Sequence, residues 1–92
     1  MPLAHDFSPE LKSILDRLFR RDRHRYEIVM KKIQEIVNSD ESAIERYKHL
    51  RHGRKGEQRV HIDKHFVLTF KYDKAIKFVL FVDFDHHNHA YQ

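Results

Sequence analysis

Cysteine is absent from this chain. No disulfide framework can hold it, which sets aside the small secreted scaffolds and favours a reducing cytoplasm. Glycine and proline are scarce as well, two of each in 92 residues, so there is little material for long loops, and disorder is expected only at the ends. The longest apolar run, Phe78 to Val82, is far too short to cross a bilayer. Met1 to Ser8 lacks the basic start and apolar stretch of a signal peptide. These absences predict a soluble cytoplasmic protein with no membrane association. Residues 1–92 should form a single domain with one modest core.

What is present is charge and histidine. Eighteen Lys and Arg against fourteen Asp and Glu give a net charge of +4, beside nine histidines. A basic balance is a weak pointer to nucleic acid, and its distribution says more. Lys48, Arg51, Arg54, Lys55 and Arg59 fall between positions 48 and 61, with Glu57 the only acid and with His49, His52 and His61 among them. A second group, Arg17, Arg20, Arg21, Arg23 and Arg25, surrounds Asp22. Either group could equally be a solvated charged face.

Periodicity divides the chain in two. Leu3 to Phe7 can form a short first strand. Ser8, Pro9 and Glu10 then carry a helix-start pattern: N-cap, proline at the first helical position, acid in the first turn. Leu11, Ile14, Leu15, Leu18 and Phe19 make one apolar stripe, and Tyr26, Val29, Met30, Ile33, Ile36 and Val37 a second. Arg20 to His24 fits the turn between them. Asn38 to Asp40 ends the second helix and can cap a short helical turn around Ser42 to Tyr47. After the Gly53 to Gly56 bend the period becomes two: Val60 and Ile62 alternate with His61 and Asp63, and Phe66, Leu68, Phe70 and Tyr72 alternate with Val67, Thr69 and Lys71. Tyr72 to Ala75 is a hairpin connection, and Ile76 to Phe84, apolar almost throughout, should be a strand buried on both faces. The fold class is α+β, an N-terminal helical hairpin packed on a small antiparallel sheet.

Period two also decides which strand residues share a face. His61, Asp63 and His65 point one way if their strand runs unbroken through Lys64, with Arg59 on the same side and Val60 and Ile62 towards the helices. Imidazole is the side chain best suited to moving protons near neutral pH. More imidazoles cluster in Asp85-His86-His87-Asn88-His89, behind the last strand. A polar outer sheet face accounts for the alternation equally well. A metal site in Asp85 to His89 is another reading, since imidazole and carboxylate suit zinc or nickel. No Cys-x-x-Cys or His-Glu-x-x-His motif accompanies it, so neither metal nor cofactor is expected.

The order of these segments carries a resemblance. A Ser-Pro-led helical hairpin is followed by Leu50-Arg51-His52-Gly53-Arg54-Lys55-Gly56, then Arg59-Val60-His61-Ile62, then Phe66-Val67-Leu68-Thr69-Phe70, then Phe84-Asp85-His86-His87. From about Phe7 to Tyr91 this resembles the RelE/ParE superfamily of toxins from type II toxin–antitoxin modules, in its YafQ-like and archaeal RelE-like branch. The resemblance implies a compact microbial-ribonuclease fold. It also implies cleavage of messenger RNA on the ribosome without a metal, by attack of the ribose 2′-hydroxyl on the adjacent phosphate. Such chemistry needs a base, an acid and cations for the charge that builds on the phosphate.

Carried over position by position, His61 sits where the YafQ-like pattern has a strand histidine. His87 sits where it has a histidine just before a C-terminal aromatic, here Tyr91. Lys55 and Arg59 match basic positions in the loop and strand start, with Lys48, Arg51 and Arg54 beside them to hold RNA. There are departures. His65 replaces what is usually an acid, a role that Asp63 could fill if the register slips. His49 matches a histidine position only with a one-residue shift. His86 competes with His87, whose spacing to Tyr91 fits better.

The resemblance thus implies an mRNA endoribonuclease with catalytic His61, His65 and His87. Its partners would be a cognate antitoxin, mRNA and the ribosome. Alternatives are a ParE-like gyrase inhibitor, a catalytically inactive relative, and a plain basic nucleic-acid-binding module.

Overall fold

A computed structural model describes residues 3–49 and 57–86, with Glu45, Lys48 and His49 described through their backbone alone. Helix α1 spans Pro9–Arg21 and α2 spans Arg23–Val37. The Ser8 hydroxyl accepts the Leu11 N–H at 3.1 Å and donates to the Val82 carbonyl at 2.5 Å, so the helix cap is also a tie to the sheet. One residue, Asp22, joins the helices. Its N–H closes α1 on the Leu18 carbonyl at 2.8 Å, and its carboxylate caps α2 at the Arg25 N–H, 3.2 Å away. A five-residue helix α3, Glu41–Glu45, begins at Asp40, whose carboxylate accepts from the Ala43 N–H at 2.8 Å and the Ser42 hydroxyl at 2.9 Å. The Ala43 bond, seconded by Ser42, holds the Asp40 carboxyl below its ordinary pKa.

The described strands are β1 (Ala4–Phe7), β2 (Lys48–His49), β3 (Glu57–Ile62), β4 (Phe66–Asp73) and β5 (Phe78–His86). They form one sheet in the order β1-β5-β4-β3-β2. The sheet is mixed: β1 runs parallel to β5 and the other pairs are antiparallel. The helices cover one face. Leu11, Val29, Ile33 and Ile36 pack against Leu68, Phe70 and Phe81, all fully buried.

Four details depart from the periodicity. Strand β3 ends at Ile62, because Asp63 takes a left-handed conformation (φ 55°) and opens a turn to Phe66. Ile76 is two-thirds exposed in the β4–β5 turn, which closes at Lys77 with φ 52°. Phe19 leaves the core to lie edge-on to Tyr26, its ring covered at 3.7 Å by the Arg23 guanidinium. Finally, the pairing of β4 with β5 shifts between Thr69 and Phe70: Thr69 faces Asp83 but Phe70 faces Phe81. Val82 is the extra residue of this bulge, so Phe81 and Phe84, three apart, both reach the core.

Beyond β1 the outer edge of β5 is uncovered by any described strand. There the Asp83 and Asp85 carboxylates accept the N–H groups of Phe84 and His86, at 2.9 and 2.7 Å. On β1 Asp6 does the same for Phe7 at 2.8 Å.

Candidate active site

Strand β3 is the element that places the candidate residues. Gln58 and Ile62 turn towards the helices and are buried, which sends Glu57, Arg59 and His61 to the opposite face, which no described helix covers. Gln58 is a polar residue in an apolar layer, and its amide nitrogen donates to the carbonyls of Ile44 at 2.7 Å and Tyr47 at 3.1 Å. It therefore fastens the end of α3 to the strand that carries Arg59 and His61. Alternation alone did not single it out.

Register extends these positions across the sheet. Arg59 pairs with Thr69 and Thr69 with Asp83; His61 pairs with Val67 and Val67 with Asp85. Two rows result, each with a basic or imidazole side chain on β3, a small residue on β4 and a carboxylate on β5. Strands separated by one neighbour lie about 10 Å apart, so the β3 and β5 residues of each row flank Val67 or Thr69 between them. Val67 and Thr69 are both buried although no described helix lies over them, at 1% and 4% exposure. His61 is exposed on the rim, Arg59 is half-buried, and the Arg59 Nε is screened from solvent. Lys48, on β2, is the register partner of Arg59.

A guanidinium and an imidazole on one strand face are suited to holding a phosphodiester and moving a proton beside it. Asp83 and Asp85 each commit one oxygen to a backbone N–H, which turns them towards the outer edge of β5. Arg51, Arg54, Lys55, His87 and Tyr91 lie outside the described residues. Among the described residues, no group of three His, Cys, Asp or Glu side chains is placed to hold a metal ion; His87, Asn88 and His89 of the Asp85–His89 segment lie outside them.

His65 does not share the face of His61. The turn that begins at Asp63 carries it to the end of the sheet, where its ring lies within 15° of parallel to that of His86, centroids 6.2 Å apart. His86 is the register partner of Phe66, on the helix-covered side, and meets it edge-on at 5.4 Å. Phe66 stacks on Phe84 at 5.1 Å, and the Arg25 guanidinium lies 4.4 Å from the Phe66 centroid. The structure thus brings Arg59 and His61 together on one face and puts His65 with His86 at the sheet end. This grouping of Arg25, Phe66 and His86 has no local sequence signature, because it joins three elements.

No family model matches the chain. Over 87 residues it is 42% identical to "Putative toxin RelE4" of Methanocaldococcus jannaschii, spanning 95% of this chain and 88% of the relative. This chain belongs to the RelE toxin family. A second relative in sequence, an uncharacterized protein of Methanosarcina mazei, is 38% identical over 82 residues, 89% of this chain and 91% of its own. Solved structures share the RelE-type fold at low identity. The toxin–antitoxin complex RelBE2 from Mycobacterium tuberculosis matches with TM-score 0.62 and 18% identity over 95% of this chain and 100% of that one. YafQ from E. coli strain BL21(DE3) matches with TM-score 0.66 and 16% identity over 98% and 99%. The RelE fold of this chain is therefore α+β, with a helical hairpin on a mixed sheet. Among the described residues, no helix is long and apolar enough to cross a membrane.

Proposed function

We propose that this RelE-family toxin is an endoribonuclease that cleaves mRNA in the cytoplasm, on the ribosome, and is held in check by a cognate antitoxin. The observation that carries the reading is the pair Arg59 and His61, set two residues apart on the sheet face opposite the helices. A guanidinium matches the geometry of a phosphate and neutralises the charge that grows on it. An imidazole beside it can take or give a proton near neutral pH.

The reaction needs no group beyond these types. A base removes the proton of a ribose 2′-hydroxyl, and the 2′-oxygen attacks the adjacent phosphorus. The bond from phosphorus to the 5′-oxygen breaks, and that oxygen receives a proton from the acid. The products are a 2′,3′-cyclic phosphate and a 5′-hydroxyl. We assign the two proton transfers to His61 and His87. Arg59 steadies the phosphate, with Lys48, Arg51, Arg54 and Lys55 as further cations and Tyr91 as a contact to the RNA. The basic loop also offers an acidic segment of an antitoxin a complementary surface, and the neighbour RelBE2 is itself a toxin–antitoxin complex.

Purified protein incubated with an mRNA in excess EDTA, with and without translating ribosomes, tests the reading. Discrete cuts that fall about a hundredfold or more in His61→Ala and His87→Ala are expected, the usual size of an acid–base contribution. Absence of cuts in both conditions, with supercoiling by DNA gyrase inhibited instead, would replace it with the gyrase-poison alternative.

A further inference from the structure

We infer that His65 and His86 form a stacking site for a nucleobase of the bound RNA, next to the scissile phosphate and separate from the proton-transfer groups. The inference rests on the endoribonuclease reading for its ligand and on geometry for its place. His65 is exposed, and its plane lies within 15° of the His86 plane at a centroid distance of 6.2 Å. That separation belongs to an offset pair of flat rings, which leaves much of the exposed His65 ring uncovered. A flat ligand added there continues the row of parallel planes.

The pair has a fixed base. His86 rests edge-on against Phe66 at 5.4 Å, and Phe66 stacks at 5.1 Å on Phe84, which is anchored in the core at 5% exposure. On its other flank Phe66 carries the Arg25 guanidinium, itself held at 2.7 Å by Asp22. Rings held this way lose little freedom when a ligand stacks on them, which is what makes an aromatic platform effective. Every base has a π-face, so a platform of this kind accepts single-stranded nucleic acid with little regard to sequence, while nearby cations hold the backbone.

Placement argues against proton transfer by His65. The turn at Asp63 removes it from the face where Arg59 and His61 lie, yet only three residues separate it from His61 along the chain. A strand of RNA whose phosphate sits over Arg59 and His61 can reach the sheet end with a neighbouring base. The chemistry that recognises it is an unpaired purine or pyrimidine ring.

The experiment uses a single-stranded oligonucleotide that is 2′-O-methylated throughout, so it cannot be cut, and carries 2-aminopurine, whose fluorescence falls on stacking. The full chain should quench it. His65→Ala should weaken binding roughly 5- to 100-fold, the range for loss of one stacked base, and should abolish the quench. His65→Phe should restore both, because it keeps a flat ring and cannot carry a proton. In cleavage of ordinary mRNA, His65→Phe should retain most of kcat, whereas His61→Ala should lose kcat with little change in oligonucleotide affinity. Three results would each overturn the inference: no quench by the unsubstituted protein, unchanged affinity in His65→Ala, or His65→Phe as impaired as His65→Ala. A quench that follows this pattern in a protein that cuts nothing would sink the nuclease reading and leave the stacking site standing. Cleavage without a quench would do the reverse.

Discussion

The two faces of the sheet are built from the same strands and carry different kinds of residue. On the covered face, Leu68, Phe70 and Phe81 are fully buried against two helices, and a polar intruder, Gln58, has both amide protons bonded to carbonyls. On the opposite face, Arg59 and His61 pair in register with Thr69 and Val67, which are nearly as well buried as the core although no described helix lies above them. Charge there is spread in rows, a cation or imidazole on β3 and a carboxylate on β5. Stability should therefore be concentrated on one face and chemistry on the other, although residues of the two alternate along every strand.

Substitutions can break that contrast or sharpen it. Phe70→Ala, on the covered face, should cost about 3–5 kcal/mol in urea unfolding, a large share of what a domain this size possesses. A loss below about 1 kcal/mol would mean that the helix layer is not where the stability resides. His61→Ala should do the opposite, lowering mRNA cleavage about a hundredfold while shifting unfolding by no more than about 0.5 kcal/mol. A variant that unfolds as readily as Phe70→Ala would erase the division. Gln58→Leu is intermediate, because it takes a donor from the Tyr47 carbonyl and leaves the Ile44 carbonyl only the Tyr47 N–H at 3.2 Å; about 1–3 kcal/mol of stability should go. Hydrogen exchange in that variant should rise first around α3, and a uniform rise would show that Gln58 is not a local fastener.

The smallest effect belongs to Asp40, away from both faces. Its folded-state pKa is lowered by the Ala43 N–H and the Ser42 hydroxyl. Its ionised form therefore stabilises α3 above the ordinary carboxylate range, and that contribution is lost as pH falls through the lowered value. Asp40→Asn should melt slightly earlier than the unsubstituted protein near neutral pH, and the difference should close in acid. A difference that persists unchanged in acid would remove the charge from the account.

Much of this is legible in the amino-acid sequence. Ser8 and Pro9 mark the start of α1, the two apolar stripes supply the covering helices, and the change to period two near Gly53 announces the sheet. Arg59 and His61 follow directly, since alternation fixes their side once Ile62 is in the core. The parts that were not legible share a cause: one residue departs from its local period. Asp63 is itself a turn-forming residue that tolerates the left-handed conformation, but with no glycine or proline beside it the alternation of Val60, Ile62 and Phe66 masks the turn and carries His65 on into the strand. Val82 sits in a run that is apolar at almost every position, where a one-residue bulge leaves no mark. Ile76 has the composition of a strand and the place of a turn. Phe19 completes a helical stripe but finds Arg23 and Tyr26 instead of the core. The parallel pairing of β1 is a matter of topology, which four residues cannot encode by themselves.

The outer edge of the sheet has a consequence for how copies of this basic protein meet in solution. An open strand edge is a template on which another chain can polymerise. Here Asp6, Asp83 and Asp85 each occupy an outward N–H of the following residue. A second molecule approaching edge to edge would have to expel three carboxylates from their amides and crowd them against three of its own. The protein thus carries along this seam a colloidal guard of acids, in a chain whose net charge is +4.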